Sequence, residues 1–399
     1  MSERVQRLKF QIRSAICAAV AILCCHGSAA AADATAAPAW PVYHGDSALS
    51  GTAGTTLADN LKVLWRFKAG AGVSVPPVAG GSMIFFVARN GHLYAISPQG
   101  QKIWERAVER EPVVTAGSAE ANRKFVTPPL FVRGTVLTGS NDGWLYAVES
   151  ATGKTRWKYK VGDSIKGSAN WLEPEGDRGC RIVVISQWEG IVHCVDLDSG
   201  KRLWTSKLLD ECDGAPGVGS DFVAFGSCDK GLHFLSASTG EDIGTVELGE
   251  DGYVAEGVAV SGNQVFAGTH GGLIVCADVR KKSAVWSNQV AKAEAFTTPA
   301  VTADRVVVGS MDGFAYCLDR ADGKVVWSFK TDDSVLSPVI AGDKVVAVSG
   351  GTLYLLRLKD GGRIWAAQTG DIISSPAVID GRVIVGTDDG FVVMYGAAK

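Results

Sequence analysis

What this sequence lacks narrows it first. Only 20% of its residues are charged, and it holds 4 methionines and 6 histidines. The histidines outside the first 32 residues (His44, His92, His193, His233 and His270) show no metal-ligand spacing, which excludes a zinc site of the finger or protease kind. There is no nucleophile elbow and no paired-carboxylate signature. Thr152-Gly153-Lys154-Thr155 imitates the tail of a phosphate-binding loop, but Val148 stands where that motif needs glycine, and a β-turn is expected there. Past Cys25 no apolar run is long enough to span a bilayer, so no transmembrane segment is expected and the mature chain should be soluble.

The first 32 residues are of another kind. Arg4, Arg7, Lys9 and Arg13 precede the apolar run Ser14–Cys25, and small residues follow to Ala32. That order reads as a secretory signal peptide. No adjacent arginine pair marks it for the twin-arginine route, and Leu23 before Cys24 denies it a lipid-modification site. Removing residues 1–32 takes away four basic groups and one acidic group, leaving 35 Lys+Arg against 41 Asp+Glu, a net charge of −6. Such a balance argues against nucleic acid or an anionic membrane as partner.

What is present is a repeat. The stretch Gly309–Trp327 holds an Asp-Gly turn, a short apolar strand, a second Asp-Gly turn and a strand carrying Trp327. Asp-Gly between alternating apolar runs is a strong hairpin signal, because glycine supplies the positive φ. Aligned on the first turn glycine, copies stand at Gly91, Gly143, Gly190, Gly231, Gly272, Gly313, Gly351 and Gly390. Their spacing of 38 to 52 residues suits a four-stranded propeller blade. A tryptophan follows in six copies; the fourth reads as departing, with Thr245 in the Trp position. The eighth copy runs out of chain, and its missing strand is at the front, in Leu61–Trp65. We therefore expect an all-β, single eight-bladed propeller over 61–399, its last blade closed by the N-terminal strand, which leaves no free sheet edge at the join. Residues 33–60 read as an arm laid over the ring.

The segment Gly139–Trp157 resembles the repeat of pyrroloquinoline quinone (PQQ) enzymes, a resemblance that covers about residues 60–399. Two groups share that repeat: quinoprotein dehydrogenases and the non-enzymatic BamB-type outer-membrane assembly proteins. The resemblance implies either a scaffold that binds another envelope protein, in BamB-type relatives the β-barrel assembly machinery, or a PQQ- and Ca²⁺-dependent alcohol or sugar dehydrogenase. The dehydrogenases carry adjacent disulfide-linked cysteines on the cofactor; here the only such pair, Cys24-Cys25, lies in the leader. The chain also lacks their long catalytic insertions. No cofactor is therefore expected, and a soluble periplasmic scaffold is the reading preferred, with a small-ligand or polymer binder of the envelope as a third.

Candidate binding residues follow from the strand order. The loops between blades and the Asp-Gly turns should share one face, called upper here. Trp188 stands at a turn tip and, with Trp144 of the neighbouring blade, is a candidate hot spot or stacking platform. Arg89 and Lys166 are cationic candidates on that face, and Arg110 and Arg123 lie in the long loop Glu105–Val126. A second enlarged loop, 173–179, belongs to the opposite face. The upper loops are acidic, with Asp163, Asp210, Asp213, Glu250 and Asp333 among them, so a cation site is chemically conceivable. Cys194, Cys276 and Cys317 occupy core slots of the third strand; Cys212 and Cys228 share a blade and face and are a candidate disulfide.

Overall fold

The computed structural model describes residues 39–107, 124–173, 179–207, 209–254, 256–291 and 297–398. Residues 1–38, which hold the expected leader and the start of the arm, lie outside them. The strands form eight sheets, each with four antiparallel strands in chain order except the last, whose outermost strand comes from the N-terminal side, and no helix occurs among the described residues. Blade 1 spans Val78–Ala107, blade 2 Leu130–Lys160, blade 3 Asn170–Thr205 and blade 4 Gly217–Glu247. Blades 5, 6 and 7 follow at Ala259–Gln289, Ala300–Lys330 and Val339–Gln368. Blade 8 joins Ala377–Ile379, Arg382–Gly386 and Phe391–Ala397 to Leu61–Lys68, with Leu61 opposite Ala397 and Lys68 opposite Phe391. The ring closes as the repeat count requires.

The first strand of each blade is short and starts beside a small or proline residue, as at Pro77, Pro216 and Pro338. Proline has no amide to give a ladder, so it sits where the strand begins. These first strands neighbour one another around the inner edge. The middle strands are the core: Ile84–Val87 of blade 1, Ile182–Ile185 of blade 3 and Val306–Val308 of blade 6 are all buried. Each outermost strand carries a register shift at the residue before the tryptophan position, for example between Thr155 and Trp157. Such a bulge leaves one residue unpaired and twists the exposed edge away from further pairing.

The tryptophans bind blade to blade. Trp65, Trp104, Trp157, Trp204, Trp286 and Trp327 each donate the indole N–H to a carbonyl of the following blade, at 2.7–3.2 Å. Each ring lies on the glycine of that blade's outer turn: Gly100, Gly153, Gly200, Gly240, Gly323 and Gly361. Two junctions differ. Trp365 meets Tyr395 edge-on at 5.6 Å, where the closing strand replaces a turn. In blade 4 the register corrects the sequence reading: Gly244, not Thr245, faces Phe234 in the slot where Trp286 faces Cys276. The next blade's turn has lost its glycine too, and Lys282 (φ 54°) lays its side chain over Gly244. A tryptophan and a glycine have been exchanged together for a glycine and a lysine.

The arm is not laid over the ring; it runs inside it. Trp40 exchanges both backbone bonds with Ala79 of blade 1, and the Pro41 carbonyl accepts from Phe131 of blade 2. The Ser47 carbonyl takes Asn170 Nδ2 of blade 3 and the Val218 amide of blade 4. Ala48, Ser50 and Gly51 accept from Val260, Val301 and Ile340 of blades 5, 6 and 7. Thr52–Ala53 then pairs parallel with Val339–Ala341, and Thr56 ends against Gly342 and Gly381, the first turns of blades 7 and 8. The segment is therefore a plug that meets all eight blades in chain order. Its apolar side chains Trp40, Val42 and Leu49 are buried, and Tyr43 Oη bonds Thr298 and Ser337. The His44 ring lies between the carbonyls of Leu49 and Pro338, each 2.9 Å away. Backbone accounting explains this path: the amides on the open edge of the inner strands need acceptors, and the arm supplies them.

Candidate interaction face

The upper face is woven from two loop sets, as the strand order demands. The turn between second and third strands in each blade takes backbone bonds from the neighbouring inter-blade loops: Gln187 N to Ser164 O, Cys212 N to Gln187 O, Cys228 N to Glu211 O, and His270 N to Tyr253 O, all at 2.8–2.9 Å. A Cβ on Gly143 would fall 1.8 Å from Asp163 O, so the turn glycine admits this approach.

Trp188 sits on the best-tied of these turns. Besides the two bonds of Gln187, the Glu189 amide donates to Asp163 Oδ2 at 3.1 Å and the Glu189 carbonyl accepts from Leu209. The backbone is fixed from both flanking loops, yet the indole is 61% exposed. Trp144 differs: it is half-buried, and Lys158 and Lys160 lie over its ring at 4.9 and 5.6 Å. The two tryptophans share no ring contact among the described residues, so they do not form a common platform. Arg89 is exposed on the turn of blade 1, 3.5 Å from Ser74 Oγ. Arg110 and Arg123 lie outside the described residues. Apolar exposure on this face extends to Met311, Ile372 and Tyr253, the last beneath Lys230. Met311 holds in blade 6 the place of Trp188 in blade 3, a correspondence visible in the repeat alignment; Ile372 and Tyr253 carry no such signal.

Lys166, in the loop ahead of blade 3, pairs with Asp213 in the loop ahead of blade 4. Asp213 Oδ1 is buried without a partner. Glu256 stands close by, reached by water but surrounded by protein; burial pushes its carboxyl up, Lys166 opposes that, and Asp213 adds to it. Elsewhere the loop carboxylates serve their own backbone: Asp163 holds Glu189 N, Asp210 holds Glu211 N, Asp333 holds Ser334 N and Asp388 holds Ile372 N. Among the described residues no three His, Cys, Asp or Glu side chains converge. That donor set does not fit a calcium-bound quinone, which calls for several carboxylate and carbonyl oxygens at one point.

The cysteines divide. Cys194, Cys276 and Cys317 are fully buried in third strands, and burial pushes each thiol up to about 12. The expected Cys212–Cys228 disulfide is not formed: both are free thiols. Cys212 Sγ turns instead to the Asp210 carbonyl at 3.3 Å. Burial first, then the surrounding carboxylates Glu211, Asp213, Asp210 and Asp229, raise the Cys228 thiol, which disfavours the thiolate that disulfide formation needs.

A cleft of about 550 Å³ opens between the outer parts of blades 3 and 4, lined by Thr205, Lys207, His233, Gly240 and Asp242 among others. His233 contacts Asp229 Oδ1 at 2.9 Å and Thr245 Oγ1 at 3.1 Å, an arrangement that imitates a catalytic triad. The repeat explains it otherwise. At the same register Tyr316 bonds Asp312 at 2.6 Å and Asn90 bonds Tyr94 at 3.2 Å, so His233 is blade 4's version of a tie between turn and third strand.

The family model described as outer membrane protein assembly factor BamB matches residues 27–243 and 188–399. The assembly factor BamB of Burkholderia pseudomallei is 25% identical over 303 residues, covering 72% of this chain and 74% of the relative. The crystal structure of BamB from Moraxella catarrhalis superposes with a TM-score of 0.66 at 20% identity, over 85% of this chain and 98% of that one. Quinohemoprotein alcohol dehydrogenase from Comamonas testosteroni gives 0.73 at 13% identity, over 92% and 82%. These two likenesses concern the fold, which scaffold and enzyme share. With the sequence match running from end to end of the ring, the chain belongs to the BamB family of outer membrane protein assembly factors.

Proposed function

We propose that this chain is a non-enzymatic scaffold of the periplasm, exported by its leader, that uses the upper face of the ring to hold a protein partner during assembly of outer-membrane β-barrels. The observation that carries this reading is Trp188: a large apolar side chain, 61% exposed, on a turn whose backbone is pinned by both adjacent loops. An anchor already fixed in place loses little conformational entropy on binding, and interface energy concentrates in such residues. The family membership supplies the process, and the poor fit of the upper carboxylates to a metal-bound quinone weighs against the dehydrogenase reading.

The test is capture from envelope extract by cross-linking. The chain should recover a component of the barrel-assembly machinery, and Trp188→Ala should lose that capture while its melting temperature stays unchanged. Capture that survives the substitution removes Trp188 as the anchor. Dye-linked alcohol oxidation after mixing with PQQ and Ca²⁺ would instead favour the enzyme.

A further inference from the structure

The overall negative charge hides a local reversal. The outermost strands of blades 8, 1 and 2, which are Leu61–Lys68, Lys102–Ala107 and Thr155–Lys160, carry eight basic residues against one acidic. Those of the other five blades carry three against two. The three basic strands are neighbours on the perimeter: Trp65 of blade 8 docks on blade 1, and Trp104 of blade 1 docks on blade 2. The single acid, Glu105, is already held by Lys102 and His92.

Half of these cations make no ion pair among the described residues. Lys62, Arg66 and Lys68 are exposed and make no ion pair among the described residues. Lys160 is exposed above the Trp144 ring and bonds only a neutral carbonyl, that of Asp142, while Arg156 has Asp198 at 3.9 Å. Between them stand exposed aliphatic side chains at the unpaired bulge positions and beside them: Val63, Leu64 and Ile103, at 38%, 41% and 45%. The edge is convex and its bulged strands are unsuited to adding a partner strand. Long cations interleaved with aliphatic residues form the pattern of a surface that lies at a lipid interface, the charges on phosphate groups and the methyl groups at the acyl boundary.

We propose that the outer rim of blades 8, 1 and 2 is a docking surface for an anionic phospholipid bilayer, which would hold the ring edge-on to the membrane. This goes beyond the scaffold reading and uses a different part of the molecule. The acidic upper loops then lie off the bilayer, since like charge repels them from it.

The experiment is vesicle co-sedimentation of the purified chain. Binding to phosphatidylcholine vesicles containing phosphatidylglycerol should exceed binding to pure phosphatidylcholine at least about tenfold at low salt, and should fall as salt is raised. The variant Arg66→Glu/Lys68→Glu/Lys160→Glu should lose at least about tenfold, each side chain being exposed so that the fold is retained, checked by its melting curve. Reversal outside the three blades, Lys330→Glu/Arg363→Glu on blades 6 and 7, should leave binding unchanged. Leu64→Ser/Ile103→Ser should lower the binding that survives at high salt. Equal binding to both vesicles, or equal loss from the two charge reversals, overturns the proposal; so does retention on polyglutamate beads with none on vesicles, which would mark the rim as a protein-binding surface. Trp188→Ala should not alter sedimentation, so this proposal and the scaffold reading fail separately.

Discussion

Replacing Gly200 by alanine tests how tightly the blades are latched. Gly200 lies at φ 66°, and an added Cβ would stand 2.5 Å from Cδ2 of Trp157, closer than carbon atoms tolerate. Two costs follow, and the molecule separates them. The left-handed backbone alone costs a non-glycine residue about 1 kcal/mol. Pushing a docked indole out of place adds about 1–3 kcal/mol of overpacking, for about 2–4 kcal/mol in total. Gly134 provides the comparison: its φ is 74°, and a Cβ there would meet nothing within 4 Å. Gly134→Ala should therefore cost the backbone term only. Urea unfolding of the two variants should differ by the steric part, and that part should vanish when Gly200→Ala is made on a Trp157→Ala background. Equal losses at the two glycines, or an unchanged loss without the indole, would refute the reasoning that ring-on-glycine contact joins successive blades.

Four further outcomes follow from the arm, a buried histidine and the two surfaces. Leu49 is fully buried in the plug, its Cδ1 beside Gly257 at the entry to blade 5, so Leu49→Ala should cost about 2–5 kcal/mol; a loss below about 1 kcal/mol would mean the arm is not packed. Burial, with the Arg202 charge beside it, lowers the pKa of His193 to about 4. The unfolded chain takes up that proton near pH 6.5 and the folded chain only near pH 4, so stability should fall across that window by up to about 3 kcal/mol and level off below it. His193→Gln should flatten this slope in pH-dependent urea melts, and an unchanged slope would mean that other groups cause it. Capture by Trp188 and vesicle binding by Arg66, Lys68 and Lys160 complete the set, each read by its own assay as described above.

Much of the fold was legible because turns and core strands are local. Asp312-Gly313 and its copies declare the hairpins, and the lone Leu61–Trp65 strand declares the closure. The arm was not legible. Its path rests on carbonyls of Ser47, Ala48, Ser50 and Gly51, and backbone acceptors leave no mark on a sequence. Thr245 is one residue out of place because Lys230 (φ 72°), not Gly231, holds the left-handed turn position of blade 4; Gly231 already lies in the third strand, paired with Glu247, so alignment on the glycine shifts that copy by one. At the interaction face, the place of Trp188 was readable from the alignment of turns, but the covering of Trp144 depends on Lys158 and Lys160 falling on the same side of a bulged strand. The basic rim was masked by summing charge over the whole chain. The expected disulfide is replaced by two free thiols, with Cys212 Sγ turned to the Asp210 carbonyl, an orientation that blade and face alone do not encode.

The central plug has a consequence for how the molecule comes into being. Residues 40–56 are made before every blade, yet the groups that receive them include Val301, Ile340 and Gly381, which are made much later. Until then the early sheets have an open inner edge and an empty axle. Completion of the wheel and seating of its hub must therefore fall at nearly the same moment, a late event between residues far apart in the chain, and folding should be slow for that reason.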